Sequence, residues 1–231
     1  MDTDRVPAND SLAQLRLMQL VSPALPIGGF TYSQGLEYAI EDGWIRDVPG
    51  LRNWLAGLIE DNMTYLEVPL LARLYHACRN DDAESLQEWG SYLRAARETR
   101  ELRLEEEQRA AALTRLLLDL EIPCAKKYIG ALQTCQAAPY ALASVAWNIP
   151  LGEAALGYAW AWLENMVAAA VKLVPLGQTD GQRIQLDLAE MLPAAVNTGL
   201  ALSDEQIGAS SPAMALASSL HETQYTRLFR S

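Results

Sequence analysis

Residues 22–37 of this 231-residue chain read SPALPIGGFTYSQGLE, and they decide how its first part folds. Two prolines exclude regular helix in the first half of the stretch, because proline lacks a backbone donor and restricts the residue before it. A glycine pair then allows backbone angles that a side chain forbids. From Thr31 onward the composition favours a new helix, which carries Leu36 and Ile40 on one face. The stretch therefore predicts a rigid corner between two helices, called here the first corner.

A glycine pair at a helix N-terminus can also bind phosphate, because free amides and the helix dipole attract anions. The first corner has neither the glycine spacing nor the lysine of a P-loop, and no strand precedes it. Its residues favour a packed corner that presents polar groups over a phosphate site.

The amino-acid composition limits the classes of protein to which this chain can belong. Half of the residues are hydrophobic and 20% are charged, which is typical of a globular chain. The net charge of −11 argues against a nucleic-acid partner. Three cysteines at no paired spacing suit a reducing compartment. The most apolar stretch, residues 154–174, is interrupted by Glu164 and Lys172, so it predicts a buried helix. We expect a soluble, cytoplasmic protein with no membrane partner.

Helical periodicity recurs along the whole chain. A first helix is expected to turn four apolar residues inward: Leu12, Leu15, Met18 and Val21. Asp47 and Asp82 are candidate N-caps of later helices. The alanine-rich stretches 138–147 and 151–174 predict a central pair of helices. The sequence predicts an all-α, single-domain bundle of roughly ten helices. Residues 1–10 are predicted to be flexible, 11–208 to form the domain, and 209–231 a tail that docks a partner and is helical when bound.

Two further stretches present polar groups. Residues 175–183, PLGQTDGQR, predict a second proline–glycine corner directly after a helix that ends near Lys172. Residues 94–109 alternate in charge, which is typical of a solvated helix with ion pairs; a helix that faces a partner is the alternative. The carboxylates of residues 105–107 are expected to be solvated and ordinary.

The sequence contains no convincing catalytic set or metal site. It has two histidines, His76 and His221, and no close-spaced Cys/His group completes a tetrahedral site. No nucleophile elbow, HExxH motif or P-loop is present. The two corners and the tail instead favour a binding or scaffolding protein that has no cofactor.

The chain resembles the UreF family of urease accessory proteins. The first corner, the segment RETRE at residues 97–101, the second corner, and the sequence HETQYTRLFRS at residues 221–231 carry the resemblance. Their order and spacing agree with the family over residues 11–231, and residues 1–10 fall outside it.

The resemblance implies an all-α cytoplasmic protein, often dimeric, without chemistry of its own. Such proteins join UreD (also called UreH) and the GTPase UreG in a complex that delivers nickel to the apo-urease subunits. The family acts as a scaffold and regulator that gates GTP-dependent nickel insertion.

The resemblance and the two corners together predict two partner faces. The face for UreG comprises residues of both corners and of the helix before the second one: Tyr32, Glu37, Lys172, Gln178, Gln182 and Arg183. The face for UreD lies in the tail: Tyr225, Arg227, Leu228, Phe229 and Arg230.

Two other functions remain open. A stand-alone helical hydrolase would use Glu37 with His76 or His221, and no nucleophile–base pair is visible for it. A direct nickel carrier would need more ligands than two histidines and three scattered cysteines offer.

Overall fold

The computed structural model describes residues 8–174 and 177–231, which form helices joined by short loops, with no strand among them. Within these residues, ten α-helices have ten or more residues and two are shorter. In chain order they are α1 (Ala8–Val21), α2 (Leu36–Glu41), α3 (Val48–Leu58), α4 (Val68–Arg79), α5 (Ala83–Ala95), α6 (Arg100–Asp119), α7 (Ile129–Leu132), α8 (Ala137–Ala146), α9 (Leu151–Leu173), α10 (Gln178–Ala189), α11 (Leu192–Ala201) and α12 (Pro212–His221). The predicted all-α bundle is confirmed.

Helix α9 forms the centre of the bundle. Helices α1, α2, α3, α4, α10 and α11 all pack against it. Ala155 and Ala159 are fully buried on α9, and such small side chains let neighbouring helices approach closely. The predicted central pair is only partly correct, because α8 packs mainly on α4 and α6 and touches α9 much less.

Helices α3 and α4 are joined without a loop by a π-helical segment, Ile59–Glu67. Pro69 in the first turn of α4 has no amide to donate to the preceding turn. The carbonyl of Tyr65 in that turn instead accepts a hydrogen bond from the amide of Gly208 at 2.9 Å. The two predicted caps are confirmed, since the side chains of Asp47 and Asp82 accept from amides in the first turns of α3 and α5.

The prediction for the inward face of α1 is correct for Val21 and wrong for the other three residues. Leu12, Leu15 and Met18 are 55%, 62% and 65% exposed. The helix instead turns Leu17 and Val21 towards Gly157 of α9, where a Cβ atom would lie only 2.7 Å from Leu17 Cδ1. Helix α1 carries apolar residues on two faces, and the small residue on α9 selects the face that is buried.

Helix α2 begins at Leu36, five residues after the predicted start at Thr31. Gln34 and Gly35 have φ angles of +53° and +80°, which interrupt a right-handed helix. Gly35 also lies directly against α12, and a Cβ atom there would be 2.7 Å from the amide nitrogen of Ser218. Left-handed backbone and close packing on α12 thus define the corner, and its polar residues precede the helix.

The chain after α12, residues 222–231, is called here the C-terminal segment. The sequence places it in a longer tail, residues 209–231, that is predicted to dock a partner and to be helical when bound. In the structure it runs in bends and turns over its own chain, with Phe229 and Ser231 buried.

Helix α1 includes residues 8–10, which the sequence assigned to a flexible segment. Residues 1–7 of that segment, and residues 175–176 of the second corner, lie outside the described residues. No helix in the described part of the chain is long and apolar enough to cross a membrane.

Candidate partner-binding surface

The first corner and the C-terminal segment lie side by side. The carbonyl of Ser231 accepts hydrogen bonds from the amide of Ser33 at 2.9 Å and from its hydroxyl at 2.5 Å. The amide of Arg230 donates to the carbonyl of Thr31 at 2.8 Å. The Ser231 hydroxyl donates to Glu105 Oε2 at 2.9 Å, which attaches the same segment to α6.

Glu37 holds the middle of the C-terminal segment. Its two carboxylate oxygens accept from consecutive backbone amides, that of Leu228 at 2.6 Å and that of Phe229 at 2.8 Å. Hydrogen bonds to a charged acceptor are stronger than neutral ones. The expectation that Glu37 is exposed is wrong, because only 5% of the residue is accessible to solvent.

His221 lies between the carboxylate of Glu37 and that of Glu101. Its Nε2 lies 3.2 Å from Glu37 Oε2, and its Nδ1 lies 2.6 Å from Glu101 Oε2. The other oxygen of Glu101 accepts from the guanidinium of Arg227 at 2.5 Å. Helices α2, α6 and α12 and the C-terminal segment therefore meet at one polar cluster, in which Glu37 and His221 are buried and Arg227 is exposed.

The hydrolase alternative required a histidine beside Glu37, and the structure does bring His221 there. His221 is fully buried, and both ring nitrogens face carboxylates of its own chain, so substrate cannot reach the pair. His76 lies on α4, where burial first and the charge of Arg79 second lower its pKa. Within the described residues, no group of three or more His, Cys, Asp or Glu residues could hold a metal ion.

Lys172 connects α9 to both other elements. Its Nζ lies 6.0 Å from the ring centre of Phe30 and 5.7 Å from that of Phe229, within the range of cation–π attraction. Phe30 is 63% exposed and Leu228 is 65% exposed. An aromatic and an aliphatic side chain are thus held outward beside a lysine.

The docking face, as we call it, consists of exposed side chains from the first corner, the end of α9 and the C-terminal segment: Phe30, Lys172, Tyr225, Arg227, Leu228 and Arg230. Three of the six are basic on a chain whose net charge is −11. Such local charge can orient an acidic partner. The face unites residues that the sequence had assigned to two separate partners.

Two predicted partner residues support this face from inside. Phe229 is buried, although the preceding Leu228 is exposed. Tyr32 is also buried, and its hydroxyl donates to Gln108 Oε1 at 2.7 Å. Burial first, and the nearby charge of Glu105 second, raise the pKa of Tyr32.

The predicted residues of the second corner lie apart from this face. Gln178, Gln182 and Arg183 are exposed at the start of α10. Arg183 pairs with Asp180 at 3.1 Å, and Gln182 donates to Gln185 at 3.4 Å. Across residues 177–231, no hydrogen bond or ion pair joins these three side chains to the C-terminal segment.

A buried ion cluster lies behind the first corner, and sequence reasoning missed it. Arg97 contacts Glu67 and Glu106, both at 2.5 Å, and the three side chains are 6–9% exposed. Tyr158 donates to Glu67 at 3.1 Å, and the amide of Gln136 donates to Glu106 at 2.8 Å. Burial raises the pKa of Glu67. Burial acts in the same direction on Glu106, but Arg97 and the Gln136 amide together lower its pKa.

The prediction that residues 105–107 are ordinary solvated acids is wrong for Glu105 and Glu106, which are both buried. Helix α6 starts only at Arg100, so the charged stretch is not one exposed helix. A cavity of about 130 Å³ adjoins the cluster and is lined in part by the first corner. The buried Nε of Arg109 has no hydrogen-bond partner in this region.

Comparison with known proteins gives one consistent result. A sequence model of the UreF family matches residues 45–189. The chain is 52% identical to proteins named urease accessory protein UreF from Pseudomonas putida and Alkalilimnicola ehrlichii, over 223 residues in each case. These alignments cover 96% of this chain and 100% and 98% of the two relatives. A protein of the same name from Chromohalobacter salexigens is 49% identical, with both chains covered completely.

Proposed function

Because this chain belongs to the UreF family of urease accessory proteins, we propose that it is a scaffold joining UreD to the GTPase UreG. In this role it gates GTP-dependent insertion of nickel into apo-urease, with nickel as cargo and without catalysis by the chain itself. The stand-alone hydrolase is not proposed, because His221 beside Glu37 is closed to substrate.

The docking face is the observation that carries this proposal. Three elements distant in sequence hold Phe30, Lys172 and Leu228 outward on a surface fixed by backbone hydrogen bonds. Exposed aromatic, aliphatic and basic groups on a rigid support are typical of protein interfaces, because little conformational entropy is lost on binding.

Within the proposal, the two partners occupy different residues. UreD contacts the C-terminal segment through Tyr225, Arg227, Leu228 and Arg230, with Phe229 as the buried support. UreG contacts Lys172 and the start of α10, namely Gln178, Gln182 and Arg183. Tyr32 and Glu37, which the sequence assigned to the UreG face, are both buried, and Glu37 acts instead through the C-terminal segment that it holds.

The proposal also includes a homodimer and a cytoplasmic location. Leu12, Leu15 and Met18 form an exposed apolar stripe on α1, and two copies related by a two-fold axis would cover each other's stripe. Replacing Leu15 by arginine should then yield monomers in light scattering, whereas an unchanged mass would contradict this interface. The three cysteines are free, which agrees with a reducing compartment.

Urease activation in cells tests the proposal as a whole. Cells that carry urease and its other accessory proteins, but lack their own UreF, should regain urease activity when they express this chain. Lys172→Ala should lower that activity, while Lys126→Ala, at an exposed lysine outside the docking face, should not. Failure of the folded wild-type chain to restore activity would refute the proposed function.

A further inference from the structure

We infer that Glu37 and His221 form an internal anchor that positions the C-terminal segment, so that Glu37 affects partner binding without touching a partner. The inference starts from the geometry of Glu37. Both of its oxygens are occupied by amides of Leu228 and Phe229, and the side chain is 7% exposed. A partner could reach this carboxylate only after the segment had left it.

The anchor is specific for a carboxylate. Two consecutive amides point at the two oxygens of one group, and a carboxylate presents one acceptor oxygen to each of them. A glutamine side chain offers one oxygen and would turn an NH₂ group towards one of the amides. Glu37→Gln therefore removes the anchor with almost no change in side-chain volume.

His221 fixes the orientation of that carboxylate. Carboxylate oxygens only accept, so the contacts with Glu37 and Glu101 are both hydrogen bonds when both ring nitrogens donate. Arg227 pairs with the other oxygen of Glu101, so His221 and Arg227 both contact that carboxylate. His221 is thus a positioning residue that acts on the segment through two carboxylates.

The anchor determines how the exposed side chains of the docking face are oriented. Arg227, Leu228 and Arg230 directly adjoin or include the two amides that Glu37 holds. Release of those amides frees the exposed side chains to adopt many orientations. The free energy of partner binding would then have to offset the conformational entropy lost when the segment is ordered again.

Amide hydrogen exchange on the isolated chain tests the anchor directly. In Glu37→Gln the amides of Leu228 and Phe229 should exchange about tenfold faster or more, since a hydrogen bond to a charged group is lost. His221→Gln should act in the same direction, and Glu60→Gln, at an exposed acid, should have no effect. Unchanged exchange at both amides in a folded Glu37→Gln would overturn the inference.

If Glu37→Gln unfolds the chain, its exchange rates do not report on the anchor, so a second variant is measured. Glu37→Asp keeps the charge but shortens the reach to the segment. It should speed exchange at the same two amides while amides in the centre of α9 keep their protection. Equal loss of protection in α9 and in the segment would show a general structural role and overturn the anchor.

A second experiment measures the affinity for UreD, and its interpretation depends on the proposed function. Leu228→Ser should weaken UreD binding, and adding Glu37→Gln to it should weaken binding by less than Glu37→Gln does alone. Fully additive effects would mean that Glu37 contributes independently of the segment, which contradicts the anchor. If wild-type protein binds no UreD, the proposed function fails, and the exchange experiment still decides the anchor.

Discussion

Replacing Arg97 by methionine removes the cation that two buried carboxylates share. Arg97, Glu67 and Glu106 have side chains that are 7%, 9% and 6% exposed, so water cannot replace the lost guanidinium. Removing one partner of a buried ion pair costs about 3–5 kcal/mol. In a chain of this size each kcal/mol lowers Tm by about 2–4 °C, so Tm should fall by roughly 6–20 °C.

The dependence of this loss on pH follows from the same cluster. Without Arg97, burial raises the pKa of both carboxyl groups in the folded state above their values in the unfolded chain. The folded state then binds more protons, so the stability of the variant falls as pH rises through the raised pKa values. The deficit relative to wild type should be smaller near about pH 5 than near about pH 8.

Urea unfolding followed by far-ultraviolet circular dichroism measures this deficit. Arg94→Met is the matched control, because Arg94 pairs with Glu107 while 46% exposed, and such surface pairs contribute about 0–1 kcal/mol. Adding Glu67→Gln and Glu106→Gln to Arg97→Met should recover part of the loss. A deficit no larger than that of Arg94→Met, or no recovery on neutralising both acids, would refute the reasoning.

Three further predictions concern packing, thiols and a helix cap. Gly199→Val should lower stability by about 1–3 kcal/mol in urea unfolding, since its Cβ would lie 2.7 Å from a backbone carbonyl; an unchanged midpoint would contradict this contact. Iodoacetamide near neutral pH should modify exposed Cys124 before Cys78, because burial raises the pKa of the Cys78 thiol to about 12. Equal labelling of the two cysteines in mass spectrometry would contradict this order. Asp82→Ala should cost about 1 kcal/mol through loss of the α5 cap, and no change in Tm would exclude it.

Local signals predicted the helices well. The caps at Asp47 and Asp82 depend only on neighbouring residues, so the sequence contains all the information they need. The inward face of α1 depends on a contact with Gly157 of α9. Periodicity within α1 cannot choose between its two apolar faces, and that prediction was wrong for this reason.

The site depends on contacts between residues that are far apart in the chain. Sequence reasoning selected Glu37 and Phe229, but it placed them on separate partner faces, and the structure joins them by a hydrogen bond. The ion cluster was missed because Glu67, Arg97 and Glu106 come from three different segments. A run of charged residues is exposed to solvent only where no distant part of the chain packs over it.

Partner binding by purified wild type and two surface variants tests the central claim most directly. UreD and UreG would be titrated against the wild-type chain, Leu228→Ser and Lys172→Ala, with Leu216→Ser as the control at an exposed leucine outside the docking face. The scaffold account predicts that Leu228→Ser weakens UreD binding, that Lys172→Ala weakens UreG binding, and that Leu216→Ser changes neither. Equal binding of both partners by all four proteins would contradict it.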